Sequence, residues 1–232
     1  MLTLMVFLPL AGMLAVWAAP AKLARVINVI TCGIVLATSI SVWMQMDLTA
    51  SGYQLAESRS WIDAIGINYP IGIDGLGLSL VLLTTFVSFV SAIASWNIDK
   101  QVKGYHMMFL LLLTGMLGVF VALDLFLFYV FWEVMLLPMY FLIGIWGGPR
   151  RQYAAIKFFL YTLFGSVLLL GAVILVVLET GTWSIPEITA LAKAALARGE
   201  VGGILGSVGL SLAAFIGMFI GFAIKIPSFP FH

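Results

Sequence analysis

Residues 107–146 read MMFLLLLTGMLGVFVALDLFLFYVFWEVMLLPMYFLIGIW, a run whose only charged side chains are Asp124 and Glu133. As one helix it would be about 60 Å long at 1.5 Å per residue, twice the hydrocarbon core of a bilayer. A hairpin near Asp124 removes the mismatch and predicts two spans, with Asp124 capping the start of the second. Glu133 then lies about 13 Å into that helix, close to the midplane. A carboxylate at that depth costs on the order of 3 kcal/mol even on the lenient insertion scale. Burial disfavours its charged form and a nearby cation favours it, so a glutamate held between the two can change protonation state at modest cost. Proton or cation conduction needs that property, whereas a structural role needs only a neutral glutamic acid donating one hydrogen bond. Pro138, five residues on, weakens the backbone hydrogen bonding around Glu133.

The rest of the chain agrees with a membrane reading. Of 232 residues, 63% are hydrophobic and 9% charged, and mean hydropathy is +1.16. Runs beyond roughly 18 apolar residues mark helical spans, because helices satisfy every backbone group within one segment. About seven are predicted, roughly at 2–19, 26–46, 76–96, 107–123, 125–146, 155–178 and 205–226. The fold class is therefore all-α, a polytopic transmembrane helix bundle. Met1-Leu2-Thr3-Leu4 lacks the basic front end of a secretory signal, so the first segment reads as a retained helix. A net charge of +1 and the lack of a Lys/Arg cluster or phosphate-binding loop argue against nucleic acid and nucleotides. Cys32 is the single cysteine and reads as a small lipid- or helix-facing residue. His106 and His232 stand far apart without acidic or thiol companions, so no metal or haem site is expected.

Loop charges set the expected orientation. Lys22 and Arg25 follow the first span, Lys100 and Lys103 the third, and Arg150, Arg151 and Lys157 the fifth. Alternate loops are acidic or nearly neutral, with Asp47, Glu57, Arg59, Asp63 and Asp74 in one and Glu179 to Glu200 in another. This puts the N-terminus outside and the basic loops in the cytoplasm. Trp43, Trp96, Trp146 and Trp183 fall near span ends, as interfacial anchors do. Ile65, Ile67, Tyr69, Ile71 and Ile73 alternate around Asn68 and Pro70, predicting an extended or hairpin segment. Ser184-Ile-Pro-Glu187 is a capping box. It predicts a short amphipathic helix with Ile185, Ile188, Leu191 and Ala195 on its apolar face and Gly199 after its end.

A second charge stands in the last apolar run. Lys225 precedes Pro227 and Pro230, which break the helix while the following residues stay apolar. Measured from Gly206, a straight helix would carry Lys225 almost to the cytoplasmic edge, where lysines snorkel harmlessly. A broken helix at membrane depth instead marks an ion site. Ala213, Gly217 and Gly221 precede it at four-residue steps and predict close approach of another helix. The run ends at Pro227-Ser-Phe-Pro-Phe-His232 without a polar tail, which reads as the front part of a longer protein.

These residues carry a resemblance. Phe131-Trp-Glu-Val-Met-Leu-Leu-Pro-Met-Tyr-Phe-Leu-Ile-Gly144, Trp146-Gly-Gly and Arg151 through Lys157-Phe-Phe-Leu-Tyr-Thr162 resemble the subunit M (chain 4) family of bacterial NADH-quinone oxidoreductase, complex I. Ile71-Gly-Ile-Asp-Gly-Leu-Gly-Leu-Ser79 and Ala223-Ile-Lys-Ile-Pro-Ser-Phe-Pro-Phe-His232 resemble it too. Related antiporter-like subunits, including those of Mrp cation/proton antiporters, share the glutamate-plus-lysine plan. The resemblance implies that Glu133 and Lys225 form a pair whose separation tunes proton uptake, with His232 and Asp124 as secondary residues of the proton path. It implies three N-terminal helices with an outer loop over 1–105, and an incomplete first antiporter-like repeat over 106–232. It also implies an inner-membrane subunit among antiporter-like neighbours, with no redox centre of its own. NADH, FMN, iron–sulfur clusters and quinone would sit in partner subunits. An Mrp-type Na⁺/H⁺ antiporter subunit and a structural membrane scaffold are the alternatives.

Overall fold

A computed structural model describes residues 1–47, 49–50, 52–62, 67–200 and 202–231; of 60–62 and 67 it describes the backbone. The helices are α1 (Leu2–Ala18), α2 (Ala21–Gln45), α3 (Gly75–Ala94), α4 (Val102–Val121), α5 (Leu125–Val134), α6 (Leu136–Trp146), α7 (Arg151–Thr180), α8 (Ile185–Ala197) and α9 (Val208–Lys225). Two strands, β1 (Gln54–Ile62) and β2 (Ile67–Ile73), pair antiparallel between α2 and α3. Among the described residues six segments are long and apolar enough to cross a membrane, α5 and α6 counting as one, and α1 adds a shorter apolar helix. The chain is an integral membrane protein of the helical kind. Side chains such as Leu83, Phe86, Leu178 and Phe219 lie more than half exposed on these helices. Water would penalise such a surface, and hydrocarbon does not.

Three helices begin four or five residues ahead of the expected spans, α4 at Val102 instead of 107. α2 begins at Ala21, directly after Pro20, because proline's fixed φ suits the position before a first helical turn. α7 runs for 30 residues, about 45 Å, so its polar first turns project past the hydrocarbon.

The hairpin predicted between the spans is present. α4 ends at Val121, and the Asp124 carboxylate accepts from the Phe126 and Leu127 amides at 2.8 and 3.0 Å. The loops expected on the same side converge there. Leu123 N–H donates to Pro70 O at 3.0 Å, Leu125 N–H to Trp183 O at 2.9 Å and Ile185 N–H to Leu123 O at 2.9 Å. Strand β2 thus meets the turn edge-on, with Ile71 and Ile73 buried as the alternation predicts; Ile65 lies outside the described residues. Pro70 lacks an N–H but offers its carbonyl to Leu123, the use a strand can make of proline. Replacing Asp124 with Ala should lower stability by about 1 kcal/mol, read as a lower unfolding midpoint in detergent.

α8 forms where the capping box placed it, Ser184 Oγ accepting from Glu187 N–H at 3.4 Å. It ends in a Schellman turn, with Gly199 at φ +68° and Glu200 N–H donating to Ala195 O at 3.1 Å. Its buried face is narrower than predicted. Ala195 is buried and Ile185 and Ile188 are partly so, but Leu191 is 43% exposed.

At the opposite end the basic residues close the bundle. Lys103 Nζ donates to Trp17 O at 2.6 Å and Lys100 Nζ to Ile145 O at 2.9 Å, at the C-termini of α1 and α6. Cations belong there, because the last carbonyls of a helix lack partners and carry its negative pole. Arg25 reaches Ile98 O at 2.9 Å, and Trp146 Nε1 donates to Lys100 O at 2.6 Å. The main core joins α1 to α5 and includes Leu2, Val35, Val81, Leu117 and Phe131. A second cluster, with Trp132, Met135, Leu169 and Val173, ties α5 to α7 and reaches Phe222 on α9.

Candidate functional site

Glu133 stands in the last turn of α5, two residues before the helix is interrupted at Met135. The cause lies in Pro138, which has no N–H for the Val134 carbonyl and crowds it with its ring. Met135 keeps right-handed helical angles (φ −68°, ψ −23°), so the chain continues as α6 after a local break. The Glu133 Oε1 atom is buried and makes no hydrogen bond. Tyr129, one turn earlier, presents its hydroxyl within interaction range of the same carboxylate. Buried polar atoms without partners are few in native folds, and each asks for a reason.

Lys225 is the last residue of α9. Pro227 cannot donate to the Ala223 carbonyl, and the Ser228 N–H takes it instead at 2.9 Å, which ends the helix. α9 packs tightly on α7 through small residues. A Cβ at Gly221 would meet Leu169 Cβ at 2.9 Å and Gly165 O at 3.0 Å, and one at Gly217 would meet Ala172 Cβ at 3.0 Å. The stripe differs from the predicted one at its start, since Ala214 is buried and Ala213 is exposed. Four-residue steps drift by about 40° each on a 3.6-residue helix, which carries position 213 out of the contact.

Trp132, the residue before Glu133, receives Lys225. The Lys225 ammonium lies 4.7 Å from the centroid of its indole and 3.5 Å from its carbonyl oxygen. The indole is fixed from two sides: Nε1 donates to Ser166 Oγ on α7 at 3.1 Å, and Phe222 of α9 packs edge-on at 5.5 Å between ring centroids. Glu133 is near enough to act on Lys225 electrostatically, yet the two make no ion pair within 4.0 Å. Helices α5, α7 and α9 thus bring together both residues singled out in the sequence. Asp124 sits at the other end of α5, occupied with capping, and His232 lies outside the described residues.

Trp132 and Ser166 are the contributors that the sequence reading passed over. A signal existed, because a tryptophan far from both span ends must find a buried partner for its N–H. A second buried polar contact was also missed. Asn28 of α2 and His106 of α4, both 0% exposed, meet at 2.9 Å between Nδ2 and Nδ1, and His106 Nε2 has no partner. Cys32 is buried beside them and faces helices, with Sγ 3.7 Å from Asn28 Oδ1. Among the described residues no three His, Cys, Asp or Glu side chains gather as a metal site.

A transmembrane bundle with an interrupted span, a buried carboxylate beside the interruption and a lysine at a proline-ended helix resembles the plan of an antiporter-like membrane subunit. Comparison with known proteins agrees. Residues 122–232 match the family described as NADH:quinone oxidoreductase/Mrp antiporter, TM. The NADH-quinone oxidoreductase subunit M of Rhodobacter capsulatus is 37% identical over 239 residues, which cover all of this chain and 46% of that protein. In respiratory complex I from Thermus thermophilus with bound NADH, one chain matches with a TM-score of 0.80 and 28% identity, over 100% of this chain and 45% of that one. The Mrp complex from Dietzia contains a chain matching at a TM-score of 0.83 and 21% identity, over 99% of this chain and 24% of that one, which speaks for the fold alone. Just under half of this chain thus matches the NADH:quinone oxidoreductase/Mrp antiporter family, and the sequence resembles subunit M (chain 4) throughout. It spans less than half the length of the curated relatives that it matches.

Proposed function

We propose that this chain is part of a proton-translocating membrane subunit of an NADH-quinone oxidoreductase, with Glu133 and Lys225 as its proton-handling residues. The observation that carries the reading is a lysine seated on an indole beside a carboxylate that has one free, buried oxygen. Two seats are then open to the ammonium: the Trp132 ring with its carbonyl, and the Glu133 carboxylate. Pairing with Glu133 favours the protonated lysine, and withdrawal from it lets the proton leave. The energies are of one size. A desolvated cation–π contact contributes about 2 kcal/mol, and moving one charge through 100 mV costs about 2.3 kcal/mol. A modest shift of α9 against α5 therefore suffices to move the lysine between seats. NADH, FMN, iron–sulfur clusters and quinone belong to partner subunits in this reading. The subunit sits in the inner membrane among antiporter-like neighbours, N-terminus outside and basic end in the cytoplasm. Residues 106–232 belong to the first antiporter-like repeat in this reading, after an N-terminal part over 1–105.

An Mrp-type antiporter is the second reading, favoured by the family match, whose description names both. The greater sequence likeness to subunit M places it behind. The test uses inverted membrane vesicles with the full-length protein carrying Lys225→Ala. NADH-driven acidification should fall at least about tenfold, while complex assembly and NADH oxidation by an artificial acceptor persist. Unchanged acidification would sink the proton role, and failed assembly would favour a scaffold. Trp132→Phe keeps a ring for the lysine and should retain more acidification than Trp132→Leu, which removes it.

A further inference from the structure

The cleft between the end of α6 and the start of α7 has a volume of about 760 Å³. Arg150, Arg151 and Lys157 line it, and no acidic residue does. None of the three forms an ion pair among the described residues, and Lys157 only faces the Tyr153 ring at 5.9 Å. Their position adds to the positive potential. They flank the first turns of α7, which has no acidic residue in its first turn and no side-chain cap. A helix N-terminus already carries a positive pole, so cations are unfavourable there unless an anion joins them. Ile143 and Phe158 supply an apolar wall to the same cleft. Lys100, bonded to Ile145 O one residue before the end of α6, places the cleft at the basic end of the bundle.

We infer that this cleft binds an anionic phospholipid, its phosphate against Arg150, Arg151 and Lys157 and the start of an acyl chain along Ile143 and Phe158. A soluble anion would use the cations but not the apolar wall. A zwitterionic lipid would use the wall but bring its own cation toward three others. Basic clefts between spans on the cytoplasmic side are where anionic headgroups bind, and bilayer lipid is present at high local concentration. Bound lipid would brace the α6–α7 turn, and α6 continues directly from the break beside Glu133.

The test is native mass spectrometry of the full-length protein in its complex, released in detergent with phosphatidylglycerol or phosphatidylcholine added. Phosphatidylglycerol should be retained in preference, and Arg150→Gln/Arg151→Gln/Lys157→Gln should weaken retention on the order of a hundredfold. Lys22→Gln, a cation at the same end but outside the cleft, should leave retention unchanged. Equal retention of the two lipids by the unsubstituted protein overturns the inference, and that arm stands even if the triple variant does not insert. Unweakened retention in the triple variant overturns it too. Complete displacement of lipid by inorganic phosphate would make the cleft a plain anion site. Protection of Arg150 from an arginine reagent in the delipidated complex would assign the cleft to a protein segment instead.

Discussion

Glu133→Gln in the full-length protein should abolish NADH-driven acidification of inverted vesicles, a loss of about a hundredfold if the carboxyl transfers the proton itself. The substitution is nearly isosteric, so it leaves the shape of the α5 end and its packing on Trp132 in place. It also keeps one carbonyl oxygen for Tyr129 and puts an amide where the free Oε1 is buried. What disappears is the capacity to hold a proton and to attract the Lys225 ammonium. With no carboxylate seat, Lys225 should remain on the Trp132 indole, its position in the structure. Glu133→Asp keeps the charge but shortens the arm by one carbon, and partial acidification is expected. The measurement is acidification by a pH-sensitive dye, with NADH oxidation by an artificial acceptor as the control for an assembled complex. Full acidification in Glu133→Gln would return Glu133 to the structural role of a neutral hydrogen-bonding group.

Glu133 and Lys225 were visible in the sequence because a charge inside an apolar run is costly wherever the chain folds, and the cost demands a reason. Their meeting was not. Depth counted along a straight α9 sends Lys225 to the cytoplasmic edge, and only the packing of α9 on α7 turns it toward α5. Trp132 escaped notice for the opposite reason. Hydropathy scores an indole as apolar, so the N–H that it gives to Ser166, 34 residues away, leaves no trace in a pattern. The Asn28–His106 contact joins residues 78 apart, and no local rule connects them.

Local signals did better wherever the cause itself was local. Asp124, Ser184 and Gly199 cap helices because each serves backbone groups within a few residues. Strand β1 shows the limit. Gln54–Ile62 contains Glu57, Arg59 and three other polar side chains, so it offers no clean alternation, and its partner β2 supplies the apolar face. The small-residue stripe was read in the right helix with the wrong first member, because spacing alone fixes a face only to within the drift of the helix.

Gly118→Ala should be among the most damaging single-methyl additions in this chain. A Cβ at 118 would overlap the Phe131 ring, and Phe131 is 6% exposed. Phe7 lies 6.5 Å from the ring between centroids, and both rings line a cleft of about 580 Å³, so the Phe131 ring can turn only by giving up its seat against α4. Relief comes from that displacement or from separating α4 and α5, and α5 carries Trp132 and Glu133 as the next two residues. Overpacking of this kind costs about 1–3 kcal/mol. Gly171→Ala is the matched control, since a Cβ there meets nothing within 4 Å and alanine is the better helix former. Unfolding midpoints of the two variants in detergent should move in opposite directions, or the control should stay still while Gly118→Ala falls. Phe131→Leu in the Gly118→Ala background should recover part of the loss, because removing ring volume frees the place of the added methyl. A double variant no more stable than expected from adding the two single losses would show that the Gly118–Phe131 contact does not set the α4–α5 distance.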